Sequence, residues 1–391
     1  MTAGHGRRRG RPLRSGTVTA VGLLGMAAGY GHLLYPLWLA ARTRGLPETV
    51  APEVDEWPPI TVIVPAYRES HVIAAKVDDI RANAYPGALE VVVVADDDAT
   101  AEAARRTGAT VIASERRLGK AEALNRGVDR AATPVVVMTD ANATFSPGAL
   151  RALVRWFADP TVTAVAGEKV VRGEEGEALY WRFESWLKQR ESRAGTTIGV
   201  VGELAAVRRG AFSPIPGDVV VDDMWMALDT IAGGGRIVYE PAARALEDPS
   251  PSTRDEWERR TRMTVGIIDT CWRRRDLLAP SHGLVAAQLW GHRLMRSAIG
   301  PLAHTVLLLL AARRSGHSRV ARLFLAGHAW GGSAVLRRHR GRPLARLERI
   351  VAQALWLQAV ALGGVVRYAR RDLPALWPKP ERAPDQAPRS V

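Results

Sequence analysis

PVVVMTDANATF (residues 134–145) sets an apolar run directly against an Asp-x-Asn triplet. Val135, Val136, Val137 and Met138 are short and mostly β-branched, the composition of a strand covered on both faces of a sheet. Asp140 and Asn142 then stand at the strand's carboxyl end, where open α/β sheets hold their ligands. A carboxylate and an amide carbonyl two residues apart can share one hard cation such as Mg²⁺ or Mn²⁺. A polar turn after a strand draws on the same residue types, because Asx residues favour turns.

Outward from this stretch the pattern repeats. ITVIVPAY (60–67), LEVVVVADD (89–97) and TVIAS (110–114) read as strands. ESHVIAAKVDDIRAN (69–83), ATAEAARRTGA (99–109) and GKAEALNRGVDRAA (119–132) have helical spacing. The order predicts an α/β fold with a mostly parallel sheet and helices on both faces. Right-handed crossovers bring the carboxyl ends of its strands to one rim.

Polar residues gather at those ends. Tyr67, Arg68 and Glu69 follow the first strand, and Asp96, Asp97 and Asp98 the second. Three adjacent carboxylates repel unless something satisfies them. One can accept from a nucleobase or ribose, and another can cap the following helix. Gly119 and Lys120 open a helix whose N–H groups and dipole suit an anion such as phosphate. In GDVVVDDMWMALD (217–229), Asp222 and Asp223 open an apolar helix, either as a cap or as a carboxylate pair holding one member near a general base's pKa. In WERRTRM (257–263), Arg259, Arg260 and Arg262 form a diphosphate clamp or a solvated face.

The formal charge of +14 is unevenly placed. Residues 1–50 carry +6, residues 51–276 carry −6 and residues 277–391 carry +14. A nucleic-acid binder needs a basic face on its folded domain, so the acidic middle argues against that class. The basic flanks hold the long apolar segments. Residues 17–41 lack any formally charged side chain and suffice to cross a bilayer. Segments 299–312, 320–336 and 350–366 are shorter; a buried helical subdomain is their soluble alternative. Residues 284–297 mix apolar residues with Arg293 and Arg296, as an interfacial helix does.

The expected organisation is a basic tail (1–16), a transmembrane helix (17–41), an α/β domain (57–280), an interfacial helix with C-terminal transmembrane helices (284–366), and a Pro-rich disordered tail (374–391). Six arginines in residues 337–349 indicate a cytoplasmic loop and, counting back, a cytoplasmic middle domain. Five arginines ahead of the first segment indicate the opposite, unless that segment re-enters rather than spans. Cys271 is the only cysteine, so no intrachain disulfide forms.

Eight pieces, in order, resemble the family 2 glycosyltransferases: VIVPAYRES, VVVVADDDAT, GKAEALNRGV, VVMTDANATFSPGAL, GEALYWRFESWLKQRES, GVVGELAAVRRGAF, VDDMWMAL and RRTRM. The resemblance covers roughly residues 58–280. It implies a GT-A fold and, most similar to membrane-anchored bacterial polysaccharide or cell-wall enzymes, the inverting transfer of a sugar from UDP-GlcNAc or UDP-glucose. The acceptor would be a growing polysaccharide or cell-surface glycan. Alternatives are a membrane lipid phosphate carrier as acceptor, or a non-catalytic membrane protein that only binds nucleotide-sugars.

The resemblance also implies roles. Pro65, Tyr67 and Glu69 would hold uracil and ribose, Asp96 the uracil, and Lys120 the donor. Asp140 and Asn142 would hold Mg²⁺ or Mn²⁺ with the donor diphosphate. Asp223 would be the catalytic base beside Asp222, and Arg259 and Arg262 would close over the diphosphate. Gly202, Glu203 and Trp181 would lie on the acceptor side. Asn142 departs from the family's second Asp, and Arg259 and Met263 depart from the Gln and Trp of its last motif, which puts processive elongation in doubt. Because UDP-sugars are cytoplasmic, the resemblance places the catalytic domain inside the cell, bounded by a multi-pass cell-membrane anchor.

Overall fold

Central to the fold is a strand with no wet face. In β1 (Ile60–Ala66) all residues but Pro65 are buried, because parallel neighbours flank it and helices cover both sides. β2 (Leu89–Ala95) pairs with it from Ile60↔Leu89 to Ala66↔Ala95, and β3 (Thr110–Ala113) pairs with β2. On β1's other side lies β4 (Val135–Met138). β5 (Thr144–Phe145), β6 (Val162–Val171), β7 (Ala205–Arg208) and β8 (Arg236–Glu247) complete one sheet of order β3-β2-β1-β4-β7-β6-β8-β5. The expected parallel half is present. β7 runs antiparallel to both β4 and β6, and β5 antiparallel to β8, so the second half is mixed. This computed structural model describes residues 15–114, 116–172, 175–250 and 252–373. The expected tail at 374–391, and most of that at 1–16, lie outside the described residues.

In chain order the helices are α1 (Ser15–Gly29), α2 (Tyr35–Arg42), α3 (Ile73–Ala82), α4 (Asp98–Arg105), α5 (Lys120–Arg130), α6 (Ala149–Val154), α7 (Glu175–Ala194), α8 (Asp222–Ala232), α9 (Thr253–Arg273), α10 (Leu284–Gln288), α11 (Gly300–Arg314), α12 (Arg319–His339) and α13 (Arg346–Ala369). Strand alternation sorts the core into two layers. Ile60, Val62 and Val64 face Ile73, Val77 and Ile80 of α3 and Leu150 and Leu153 of α6. Ile63, Val92 and Val94 face Leu124 and Val128 of α5 and Met226 and Ala227 of α8. Stops and starts are chemical: Asp97 caps α4 by accepting from Thr100 N, and Ser252 caps α9 by accepting from Asp255 N.

The flanks form long rods. α1 and α2 are joined by a π-helical stretch, Tyr30–Leu34. α10 and α11 are likewise joined through Leu289–Ile299, so the segment read as a separate interfacial helix is the first half of one helix, Leu284–Arg314. That helix and Arg346–Ala369 are long and apolar enough to cross a membrane. A buried polar network fixes the rods to the α/β domain. Glu191 of α7 accepts from Tyr35 Oη at 2.6 Å and faces His292 Nδ1 at 2.8 Å. Glu184 faces His292 Nε2 at 2.9 Å and pairs with Arg296 at 2.5 Å. Close approach of the rods depends on glycine. A Cβ on Gly291 would stand 2.3 Å from Tyr35 Cδ2, and one on Gly31 would stand 2.3 Å from Arg296 Cγ. Gly291→Val is therefore expected to destabilise the protein by about 1–3 kcal/mol or more through overpacking, read as a lowered unfolding midpoint in detergent.

Candidate active site

At the rim, local chemistry assigns the acids different tasks. Arg68 takes a left-handed turn (φ 53°) just past β1. The turn brings its N–H to Asp97 Oδ2 at 2.6 Å, while Asp97 Oδ1 caps α4. Asp97 is thus structural. The Glu69 N–H donates to Thr100 Oγ1 at 2.9 Å, and its carbonyl accepts from Val72 N and Ile73 N, so this residue anchors the start of α3. Tyr67 lies under the Arg117 guanidinium, 4.4 Å from ring centre, and 5.4 Å from that of Arg68.

Asp96 is buried, and its Oδ2 accepts from Leu118 N and Gly119 N, both at 2.9 Å. The protein's own carboxylate thus occupies the two N–H groups just ahead of the first turn of α5. Gly119 makes the turn possible with φ 89°. Asp96 Oδ1 is buried without a partner, and desolvation pushes the carboxyl's pKa up.

Lys120 follows directly and points across the rim. Its Nζ lies 2.7 Å from Asp140 Oδ1, just beyond β4, and 3.5 Å from Asp222 Oδ2, in the first turn of α8. The two carboxylates raise its pKa well above the ordinary lysine value against the opposing effect of burial. Neither acid of the pair caps α8; Val221 holds that position. Asp223 accepts from Met224 N at 2.7 Å, and burial beside Asp222 pushes its pKa up to about 7. Lys120 thus ties Asp140 to the Asp222–Asp223 pair, and Asp96 holds the turn that leads into Lys120. Pro65, Gly202, Lys120, Asp222 and Asp223 line a single small void beneath it.

Gly202 is the tight point. A Cβ there would sit 2.6 Å from Lys120 Nζ. A lysine tip can move where backbone cannot, so Gly202→Ala is expected to leave the unfolding temperature nearly unchanged. It should instead displace the ammonium from Asp140 and lower kcat about tenfold, measured by nucleotide release.

Glu203, expected on the acceptor side, makes an ion pair within the protein. It pairs with Lys169 of β6, which is buried and also pairs with Glu247 at the end of β8. Asn142 Nδ2 donates to Glu247 Oε1 at 3.1 Å. Trp181 of α7 stands 5.2 Å from Lys169 Nζ, which places it beside this cluster. Lys169 and Glu247 were not singled out from sequence. Their signal was a Glu-Lys pair, Glu168 and Lys169, inside an otherwise apolar strand. Trp186 instead stacks on Phe183 and packs with Tyr35. Of the α9 arginines, Arg262 donates to Val220 O at 3.3 Å, and Asp222, Asp223 and Asp140 act on its charge. Arg259 pairs with Glu256 one turn back. Arg260 pairs with the same Glu256, and its guanidinium lies 4.7 Å from the Tyr180 ring centre.

Among the described residues no three His, Cys, Asp or Glu side chains converge as a metal cage. The fit to a divalent ion remains good. Mg²⁺ and Mn²⁺ sites of this kind use one or two protein oxygens and take the rest from phosphate and water. Asp140 supplies a hard oxygen and its side chain stays 28% exposed.

Residues 61–215 match the model of glycosyl transferase family 2, a span that holds Asp96, Lys120, Asp140 and Glu203 but ends before Asp222. A pre-mycofactocin glycosyltransferase of Mycobacterium tuberculosis is 29% identical over 275 residues, 65% of this chain and 57% of that protein. An N-acetylglucosaminyltransferase of Rhizobium sp. is 28% identical over 51% of this chain and 52% of its own length. The chain thus spans little more than half the length of the curated relatives it matches. The mannosyltransferase PcManGT of Pyrobaculum calidifontis, solved with GDP-Man and Mn²⁺, superposes with a TM-score of 0.72 at 28% identity, covering 90% of this chain and 98% of that one.

Proposed function

From the premise that this chain carries a family 2 glycosyltransferase domain of GT-A fold, we propose that it transfers a sugar from a nucleoside diphosphate sugar to an acceptor hydroxyl with inversion at the anomeric carbon. The observation that carries this reading is the Lys120 bridge. It holds Asp140, after β4, and the Asp222–Asp223 pair, at the start of α8, against one cleft. Asp223 takes the proton of the attacking hydroxyl, a task suited to a carboxyl raised to about 7. Lys120 and Arg262, which face the same carboxylates, would offset the negative charge that grows on the departing diphosphate. A divalent ion on Asp140 and the Asn142 carbonyl would neutralise the same charge.

Asp96 supports a uridine donor. Its one unpartnered oxygen suits the single imide N–H of uracil. The neighbouring N–H and NH₂ of guanine call for both carboxylate oxygens, and Oδ2 already accepts two backbone bonds. UDP-GlcNAc and UDP-glucose are accordingly the first donors. GDP-mannose is the second reading, favoured by the ligand of the mannosyltransferase. The acceptor is a polysaccharide or cell-surface glycan, or alternatively a lipid phosphate carrier, and the domain faces the cytoplasm of a membrane-anchored protein. A screen of UDP and GDP release over donors in native membranes, with the product sized, tests this reading. Release from none of the donors, despite nucleotide binding, would overturn it in favour of a non-catalytic nucleotide-sugar binder.

A further inference from the structure

A cavity of about 930 Å³ lies against a second face of α9, apart from the carboxylate cleft. Helix geometry separates the two. Arg259 and Arg262 share one side of α9, while Arg260, Met263, Thr264 and Ile267 line the cavity. Its other walls are α7, the helix Leu284–Arg314 and α13. The lining is two-natured. Six arginines are present (Arg182, Arg260, Arg293, Arg296, Arg346 and Arg349) against one acid, Glu184. Beside them lies an apolar wall of Phe183, Met263, Ile267, Ile350, Leu357 and Val360.

Two of the arginines are neutralised within the protein, Arg296 by Glu184 and Arg260 by Glu256. Arg349 is engaged within the protein, with Leu344 O among its partners, and Arg182, Arg293 and Arg346 still leave the lining net positive. Among the buried lining atoms without a hydrogen-bond partner are Arg293 Nε and Gln358 Oε1, while Arg293 Nη2 donates to Ile198 O at 3.3 Å. Leaving such groups unpaired costs free energy that a bound anion or its hydroxyls recover. Guanidinium forks match phosphate oxygens in geometry as well as charge. Two of the walls are the helices long and apolar enough to cross a membrane. Basic pockets between such helices are suited to phosphate-bearing lipid headgroups.

We propose that this cavity binds an anionic membrane lipid, its phosphate between Arg293 and Arg346 and its chain along Ile350, Leu357 and Val360. The proposal does not depend on which sugar is transferred, or on whether transfer occurs. Its test uses the full-length protein in detergent and native mass spectrometry, with phosphatidylglycerol, phosphatidylcholine of the same chain length, and inorganic phosphate as probes. Phosphatidylglycerol should be retained at least about tenfold more than phosphatidylcholine, the equivalent of one charge-assisted bond. Arg293→Gln, and separately Arg346→Gln, should erase that preference. Arg346 is exposed, so Arg346→Gln should keep the wild-type melting temperature and its loss of lipid cannot be ascribed to misfolding. Equal retention of the two lipids, or undiminished preference in the variants, overturns the proposal. Competition by inorganic phosphate over the lipid's own concentration range overturns it too, in favour of a free-anion site.

Discussion

Replacing Asp223 with asparagine is expected to lower sugar transfer by about 10²–10⁴-fold while donor binding stays within about twofold of wild type. The amide keeps the shape of the carboxyl and can still accept from Met224 N. It cannot take a proton. The loss should therefore fall on kcat and spare UDP affinity, read by nucleotide release alongside titration calorimetry. Undiminished turnover would remove Asp223 from the mechanism. The pH dependence carries a sign. Asp223 is held above the usual carboxylate range by burial and by Asp222, with a pKa of about 7. Only its deprotonated form acts as a base. kcat/KM should then rise about tenfold per pH unit below about 7 and level off above it, and the asparagine variant should lose that acid limb.

Asp140→Ala carries the second large effect. It removes the more exposed of the two carboxylates that contact Lys120. Turnover should fall by about 10²–10³-fold, the scale of losing one electrostatic element at a developing charge. The remaining activity should no longer respond to Mn²⁺ or to chelator. Calorimetric Mn²⁺ binding in the presence of UDP, which needs no turnover, should weaken with it. Without Asp140, the Lys120 ammonium is left with Asp222 and Asp223 alone. Its charge favours the ionised form of Asp223, so the acid limb of the residual activity should move below 7. Full Mn²⁺ response in this variant would place the metal elsewhere.

Strand and helix positions were legible because they rest on short-range signals. Valine runs specify buried strands, and α5 shows its apolar face as Leu124 and Val128, one turn apart. Parallel order followed from alternation, and with it the placing of Asp96 and Asp140 at strand carboxyl ends, whereas the role expected of Asp223 came from the family resemblance. The sequence did not reveal which acid would do which task. Asp96, Asp97 and Asp98 are neighbours in one run, yet one binds the α5 start, one caps α4 and one lies in its first turn. Those outcomes depend on residues 3 to 23 positions away. Lys169 was invisible because its partners Glu203 and Glu247 are 34 and 78 positions distant.

By itself, then, the sequence determined the α/β layering, the rim and the candidate acids on it, since periodicity and strand direction are properties of local chain. Only the tertiary structure decided that Lys120 spans Asp140 and Asp222, that Asp96 keeps one oxygen unpartnered, and that Arg260 leaves its neighbours for a separate cavity. The physical reason is that a charge's role is set by what stands within hydrogen-bond reach and by how much water is excluded. Both are fixed by contacts between segments far apart in the chain.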